Sequence, residues 1–275
     1  MSENMITVLA NEQSRSVPEG FTVGELRQEI KPDADILVVN GFPSSPDTLL
    51  KEKDEVIFIR RGEIPKAEEL EALMASRHTP GVHARLKRAT VGIAGLGGLG
   101  SAVTIALARV GIGTLILVDF DLVEPSNLNR QHYGVGHIGL AKTDAMSRIL
   151  QDINPYLNIV THKVILNRDN IPRLLRHADI VVECFDRPET KVMIMQTVAE
   201  TLPNVYMIGA SGMAGYGDSN SIQTMKLGEK IFMVGDFVTA AEPGRGLMAP
   251  RVGIAAHHQA NLVVNLLMGS EHMEL

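Results

Sequence analysis

Cysteine is all but missing from this sequence: Cys184 is the only one in 275 residues. A lone thiol excludes an internal disulfide and any zinc site built from several cysteines. An excess of positive charge is missing too. Lys and Arg number 26 against 32 Asp and Glu, a formal net charge of −6. That balance argues against a general electrostatic hold on nucleic acid, because phosphate binding needs a basic face. A third absence is a long uncharged apolar run, so no segment suits a bilayer span of about 20 residues, and no membrane partner is expected. The opening "MSENMITVLANEQ" carries neither the basic nor the apolar stretch of a secretion signal, which makes a cytoplasmic protein the expectation. No solenoid-period repeat and no low-complexity tract breaks the chain. What is present is 45% hydrophobic residues, enough for a sizeable core in a chain whose length suits one large and one smaller domain.

The first 62 residues read strand, turn, strand, helix, strand, strand. "ITVLA" and "RSV" flank a turn "NEQS"; "TVGELRQEI" is a helix; "DILVVNGFP" and "DEVIFIRRG" are strands. Thr22 followed by Glu25 fits a capping box, in which each side chain satisfies a backbone amide at the helix start. A ββαββ unit of that size can fold alone. Residues 63–88 read as a proline-led linker entering a short helix, "EIPKAEELEALMA". From residue 89 to 275, β-rich runs alternate with helical ones: "TVGIAG", "SAVTIALARV", "TLILVDFD", "KTDAMSRILQDI", "NIVTHKVIL", "DIVVECFD", "ETKVMIMQTVAETL", "VYMIGASG". Such alternation implies an α/β domain with a mostly parallel sheet and helices on both faces, ligands sitting beyond the carboxyl ends of the strands. "SGMAGYG" is expected to be a flexible turn. His257 and His258, adjacent on the last helix, point in different directions and read as core-edge residues rather than a metal pair.

Gly95, Gly97 and Gly100 form GxGxxG between a strand and a helix, where backbone amides and the helix dipole approach phosphates. Asp119, at the end of the next strand, suits ribose hydroxyls. These two features alone favour a nicotinamide dinucleotide. The continuation "DFDLVEPSNLNRQ" adds Asp121, Glu124, Asn127, Arg130 and Gln131, more charge than a ribose site needs. Arg130 and Lys142 suit a triphosphate, and Asp186, closing "DIVVECFD", is placed to bind its magnesium ion. Singly, Asp119 and Asp186 also read as turn formers, and Arg130 and Lys142 as surface charges. Their conjunction points to ATP.

In this order, "GLGGLGS", "DFDLVEPSNLNRQ", "AKTDA" and "VECFDR" resemble the ThiF, MoeB and ubiquitin-activating superfamily of ATP-dependent adenylating enzymes. The first domain, with "RHTPGVH" and "SGMAGYGDSNSI", looks most like the ThiF subgroup that carries a ThiS-like domain of the ubiquitin-like β-grasp type in front. The resemblance implies a Rossmann-like adenylyltransferase that uses ATP and magnesium to activate the C-terminal glycine carboxylate of the sulfur carrier ThiS, in thiazole formation for thiamine. By motif, Gly98 approaches the phosphates, Asp119 and Asp121 face the ribose, Asn127, Arg130 and Gln131 bind phosphate or magnesium, Lys142 contacts phosphates and Asp186 ligates magnesium. Arg77 resembles an arginine that reaches the ATP of the partner subunit in a homodimer. A different sulfur carrier, a tRNA-linked carboxylate, or a silent nucleotide-bound scaffold remain alternatives.

The chain departs from that pattern in several places. It lacks the paired CxxC motifs that hold zinc in many relatives, so no zinc is expected. It also lacks a downstream acceptor cysteine, and Cys184, inside an apolar run, reads as a buried strand residue, which assigns sulfur delivery to a separate donor protein. Arg187 stands where many relatives have asparagine. "RRGEIPK" has one glycine, Gly62, and continues as a peptide, so the ThiS-like domain cannot itself be adenylated.

Overall fold

A computed structural model describes residues 4–78 and 80–269, without the side chains of residues 76–80. Two compact units divide at Met1–Pro80 and Gly81–Leu275, the division falling inside the 63–88 stretch.

In the first unit, apolar alternation decides which strand face is buried. Strand β5 (Glu55–Ile59) buries Val56 and Phe58 and exposes Glu55, Ile57 and Ile59, the period-2 signature of a half-buried strand. It pairs parallel with β1 (Met5–Ala10) at the centre of a sheet that also contains β2 (Gln13–Pro18), β3 (Ile36–Val39) and β4 (Phe42–Pro43), in the order β2-β1-β5-β3-β4. Helix α1 (Val23–Ile30) buries Val23 and Leu26 in the same core as Val8, Val17 and Leu37. Burying each such side chain stabilises the unit by roughly 1.5–3 kcal/mol. The capping box forms: Glu25 N–H donates to Thr22 Oγ1 at 3.2 Å, and Thr22 N–H to Glu25 Oε2 at 2.8 Å. This is the expected β-grasp arrangement, with one local correction. The first hairpin turns on Asn11 and Glu12 alone, both at positive φ (44° and 64°), because a two-residue turn of that hand matches strand twist; Gln13 and Ser14 already belong to β2. Gly62 lies in a turn, and the following Glu63 is held by Lys31 at 2.6 Å. Helix α2 (Ala67–His78) completes the unit.

The second unit opens with α3 (Pro80–Arg88). Its sheet comprises β6 (Thr90–Ala94), β7 (Thr114–Val118), β8 (Asn158–His162), β9 (Ile180–Glu183), β10 (Tyr206–Ala210), β11 (Gln223–Lys226) and β12 (Ile231–Gly235). The order is β11-β12-β10-β9-β6-β7-β8, parallel except for β11. Strands β6, β7, β9 and β10 are buried almost throughout, as parallel strands covered on both faces must be. One face packs on α4 (Gly98–Arg109), α5 (Lys142–Ile153) and α8 (Ala249–Met268), whose Val103, Met146 and Val252 share a core. The other packs on α6 (Ile171–Leu175) and α7 (Pro188–Thr201), through Leu174 and Ile194. Strand order reverses between β6 and β9, which opens a crevice at their carboxyl ends, the usual ligand position in such sheets.

The segment after β10 corrects a second expectation. "SGMAGYG" is tied down: Met213 and Ala214 are buried, Gly212 O accepts from Asp236 N–H at 2.9 Å, and Gly215 N–H donates to Gly246 O at 2.8 Å. The cause is the buried Arg251 of α8, which donates to Asp218 O (2.7 Å), Ser221 Oγ (2.9 Å) and Asp236 Oδ2 (2.5 Å). Among the described residues, no helix is long and apolar enough to cross a membrane.

Candidate nucleotide-binding site

The glycine turn sits at the crevice. Gly95 follows β6 at φ +94° and donates its N–H to Val118 O of β7 at 2.8 Å. A methyl group on Gly100 would lie 1.8 Å from Gly95 O, so any larger residue would push the turn off its helix. Gly97 caps α4 and Gly98 begins it, leaving the first amides of that helix without intrahelical partners and the positive end of its dipole at the crevice.

Asp119, just past β7, fastens this turn. Its Oδ2 accepts the Leu96 amide at 2.6 Å and its Oδ1 the Asp121 amide at 2.8 Å. Burial pushes its pKa up, against the pull of Lys142 and of those two amides. Leu96 is gripped from its other side as well, its carbonyl accepting from the Tyr133 hydroxyl at 2.9 Å. The sequence assigned Asp119 to ribose; in the structure both oxygens already hold backbone, with their remaining lone pairs left for a ligand. Asp121 pairs with Lys142 at 2.8 Å, the lysine side chain 8% exposed and the carboxylate 45%.

The stretch after Asp121 turns back over α4. Asn127 is buried, and its Oδ1 accepts from Glu124 N–H at 3.1 Å. In this structure it shapes a 3-10 turn (Pro125–Asn127) rather than facing open space. Its carbonyl accepts from the amides of both Arg130 and Gln131. Arg130, half-buried, folds back onto Ser126 O (3.2 Å) and Asn129 Oδ1 (2.9 Å), neutral oxygens that leave its charge uncompensated. Gln131 is 8% exposed and its buried Oε1 has no hydrogen-bond partner among the described residues. An orphaned acceptor in such a place costs about 1–3 kcal/mol unless a ligand satisfies it. Gly98, Arg130, Gln131 and His132 line one wall of a groove of about 1050 Å3, with His257 and His258 of α8 on the other. The two histidines do diverge: His257 Nδ1 meets Gly253 O at 2.8 Å, His258 Nδ1 meets Thr224 Oγ1 at 3.4 Å.

On the far side of the turn runs the loop between β9 and α7. A methyl group on Gly95 would come within 3.0 Å of Cys184 O and 3.2 Å of the Phe185 ring, so this loop lies directly against the glycines. It carries Asp186 exposed at the carboxyl end of the sheet, without an ion-pair partner among the described residues. Cys184 is buried and burial pushes its thiol pKa well up, which disfavours the nucleophilic thiolate.

The structure therefore gathers Gly95, Gly97, Gly98, Gly100, Asp119, Asp121, Asn127, Arg130, Gln131, Lys142 and Asp186 around one crevice. Arg77 belongs to α2, and its side chain lies outside the described residues. Unread in the sequence was Glu183, the wholly buried end of β9, paired with Lys191 at 2.9 Å. Its one signal is a glutamate closing an otherwise apolar strand, "IVVE".

The cradle, the orphaned Gln131 oxygen and the uncompensated Arg130 fit a nucleotide triphosphate. Asp186 fits magnesium of the kind held by one carboxylate together with phosphates and water. No group of three His, Cys, Asp or Glu able to hold a metal exists among the described residues.

Comparison with known proteins agrees with this geometry. Residues 6–62 match the ThiS-like ubiquitin family and residues 71–274 the ThiF family. The chain is 31% identical over 192 residues to the adenylyltransferase and sulfurtransferase UBA4 of Candida glabrata, covering 67% of this chain and 44% of the relative. It is 30% identical over 203 residues to uba4 of Pyricularia oryzae, covering 69% and 41%. It thus spans less than half the length of these relatives. Among solved structures, Escherichia coli tRNA N6-threonylcarbamoyladenosine dehydratase, TcdA, in complex with ATP superposes with a TM-score of 0.68 at 19% identity, covering 78% of this chain and 100% of that one. Escherichia coli MccB with ATP superposes at 0.56 and 23% identity, covering 78% and 75%. At those identities the superpositions speak for the fold alone. The match over residues 71–274 takes in the glycine turn, Asp119, Lys142 and Asp186, and by it the chain belongs to the ThiF family.

Proposed function

We propose that this protein uses ATP to adenylate the C-terminal glycine carboxylate of a ubiquitin-like sulfur carrier, and that the carrier is ThiS, in thiazole formation for thiamine. The observation that carries this reading is the crevice itself, where two cations, Arg130 and Lys142, stand beside a glycine cradle and an exposed carboxylate, Asp186. The relatives' name, adenylyltransferase, and the ThiS-like domain in front support it. In the reaction, a carboxylate oxygen of the carrier attacks the α-phosphorus of ATP. The new O–P bond forms as the bond to the β-phosphate breaks, and pyrophosphate leaves with the electron pair. A carboxylate is already ionised near neutral pH, so the step needs no general base. It needs charge stabilisation of the phosphorus centre and the leaving group, supplied by Arg130 and Lys142.

Gln131 Oε1 and the carboxylates of Asp119 and Asp121 hold the polar part of the nucleotide, and Gly95, Gly97, Gly98 and Gly100 admit its phosphates. Asp186 would hold magnesium, which neutralises phosphate charge when bound. Because Cys184 is buried, sulfur reaches the activated carrier from a donor on another protein. We assign the working form to a homodimer in which Arg77 serves the partner's nucleotide, acting in the cytoplasm.

ATP–pyrophosphate exchange with purified carriers ending in Gly-Gly tests the assignment. Exchange should require a carrier, favour ThiS over other sulfur carriers, and fall by on the order of 10²-fold in Asp186→Ala and Arg130→Ala. Exchange without any carrier, or undiminished in both variants, overturns the mechanism; preference for another carrier overturns the ThiS assignment alone.

A further inference from the structure

Glu183 is a charged residue where the fold calls for an apolar one. It ends the central strand β9 with no exposed surface. Placing a carboxylate there costs several kcal/mol, which a neighbouring cation only partly offsets. What the charge achieves is visible in its bonds. Oε1 accepts the Phe185 amide at 2.6 Å and Lys191 Nζ of α7 at 2.9 Å; Oε2 accepts Lys191 Nζ at 3.2 Å and, more weakly, the Ala210 amide at 3.4 Å. The Glu183 carbonyl is held in addition by Gln259 Nε2 at 3.2 Å. One side chain thus fixes the peptide immediately before Asp186, the helix immediately after it and the end of the next strand. The same device occurs across the glycine turn. Asp119 follows β7, accepts the amide two residues on, and fastens Leu96. The two carboxylates clamp the loops on either side of the glycines.

Resting on the metal role given to Asp186 above, we infer that Glu183 is a positioning residue: it sets the 184–186 peptide so that Asp186 stands at the phosphate crevice, without itself touching nucleotide. Displacing a ligand by about 1 Å costs on the order of 10²-fold, so an anchor one residue from Asp186 governs the magnesium-dependent part of ATP binding.

The test measures affinity for a fluorescent ATP analogue with magnesium and with chelator, in two folded variants. Glu183→Asp keeps the charge for Lys191 but draws the acceptor back from Phe185 N–H by about 1.5 Å, one carbon–carbon bond. Glu183→Gln/Lys191→Met removes the buried ion pair but keeps the length and the acceptor oxygen. The expected result is that Glu183→Asp loses about tenfold or more of the gain in affinity that magnesium confers, while its affinity in chelator stays within about twofold of wild type. The double variant keeps the magnesium gain within about threefold. An unchanged gain in Glu183→Asp, an equal loss in chelator, or a magnesium-specific loss in the double variant overturns the inference. Should Glu183→Asp fail to fold, the double variant decides by that last criterion. Asp186→Ala separates the two claims. A wild-type gain there overturns the metal role of Asp186 and this inference with it; a lost gain there beside a retained gain in Glu183→Asp overturns the positioning role alone.

Discussion

The Asp119 carboxylate accepts the Leu96 amide at 2.6 Å, and through that bond the acidic residue after β7 sets the shape of the glycine turn after β6. The Tyr133 hydroxyl holds the carbonyl of the same residue, so Leu96 is fixed at both ends of its backbone before any nucleotide arrives. Preorganisation of this kind lets a site bind without spending affinity on ordering a loop.

Asp119→Ala should therefore damage fold and binding together. It leaves the Leu96 amide without its acceptor, at about 1–3 kcal/mol of stability, and ATP affinity should fall by roughly tenfold or more for the same free energy. Asp119→Asn, which retains one acceptor oxygen, should fall between. Urea unfolding and nucleotide titration on the same samples check both; a large loss of affinity with unchanged stability would separate the ribose role from the fastening role.

Gln131→Leu should act in opposite directions on stability and binding. The Gln131 oxygen is buried and unsatisfied, so removing it should stabilise the nucleotide-free protein by about 1 kcal/mol. ATP should bind about tenfold more weakly, because the acceptor is lost. Thermal melts with and without ATP give the two numbers, and a melting temperature that drops without nucleotide contradicts the idea of an acceptor awaiting a ligand.

Lys142→Met should leave the fold nearly intact, since the Asp121 carboxylate it abandons is 45% exposed and can be hydrated. Carrier-dependent pyrophosphate exchange should drop by on the order of 10²–10³-fold, the usual loss when a group that stabilises developing charge is removed. Circular dichroism and exchange rates together check it.

The Arg251–Asp236 pair gives a pH signature. Burial opposes the Asp236 charge, yet the Thr239 hydroxyl and amide, the Val238 amide and Arg251 hold its pKa well below the usual carboxylate range. The unfolded chain thus binds this proton before the folded one does. The stabilisation is complete above about pH 4 and is lost as pH falls below it. Asp236→Asn should cost about 3–5 kcal/mol near neutral pH, because it strands a buried guanidinium, and the gap from wild type should narrow below about pH 4. Urea midpoints across pH measure it; a gap that widens in acid would contradict the assignment.

Much of this was legible in the chain. GxGxxG between "TVGIAG" and "SAVTIALARV" has few structural solutions, since only glycine tolerates φ +94° at Gly95 and the 1.8 Å approach at Gly100. The carboxylate at Asp119 was legible as a site residue, but not the fact that it grips Leu96. Asn127 read as a ligand for phosphate or magnesium, whereas its side chain caps its own turn, a choice settled by local hydrogen-bond competition. "SGMAGYG" read as flexible because glycine raises chain entropy; the anchor that holds it, Arg251, comes more than thirty residues later.

By itself, the sequence determined the order of elements, the α/β class, the β-grasp unit and the set of residues at the crevice, because periodicity, capping and backbone sterics are local and act through near neighbours. Only the tertiary structure decided the partners of the buried charges. Glu183 with Lys191, Asp119 with Leu96 and Arg251 with Asp236 are choices that no single segment expresses. A charge enters the interior only where folding delivers its counter-charge or donor, and that delivery depends on how strands and helices distant in the chain come to lie side by side.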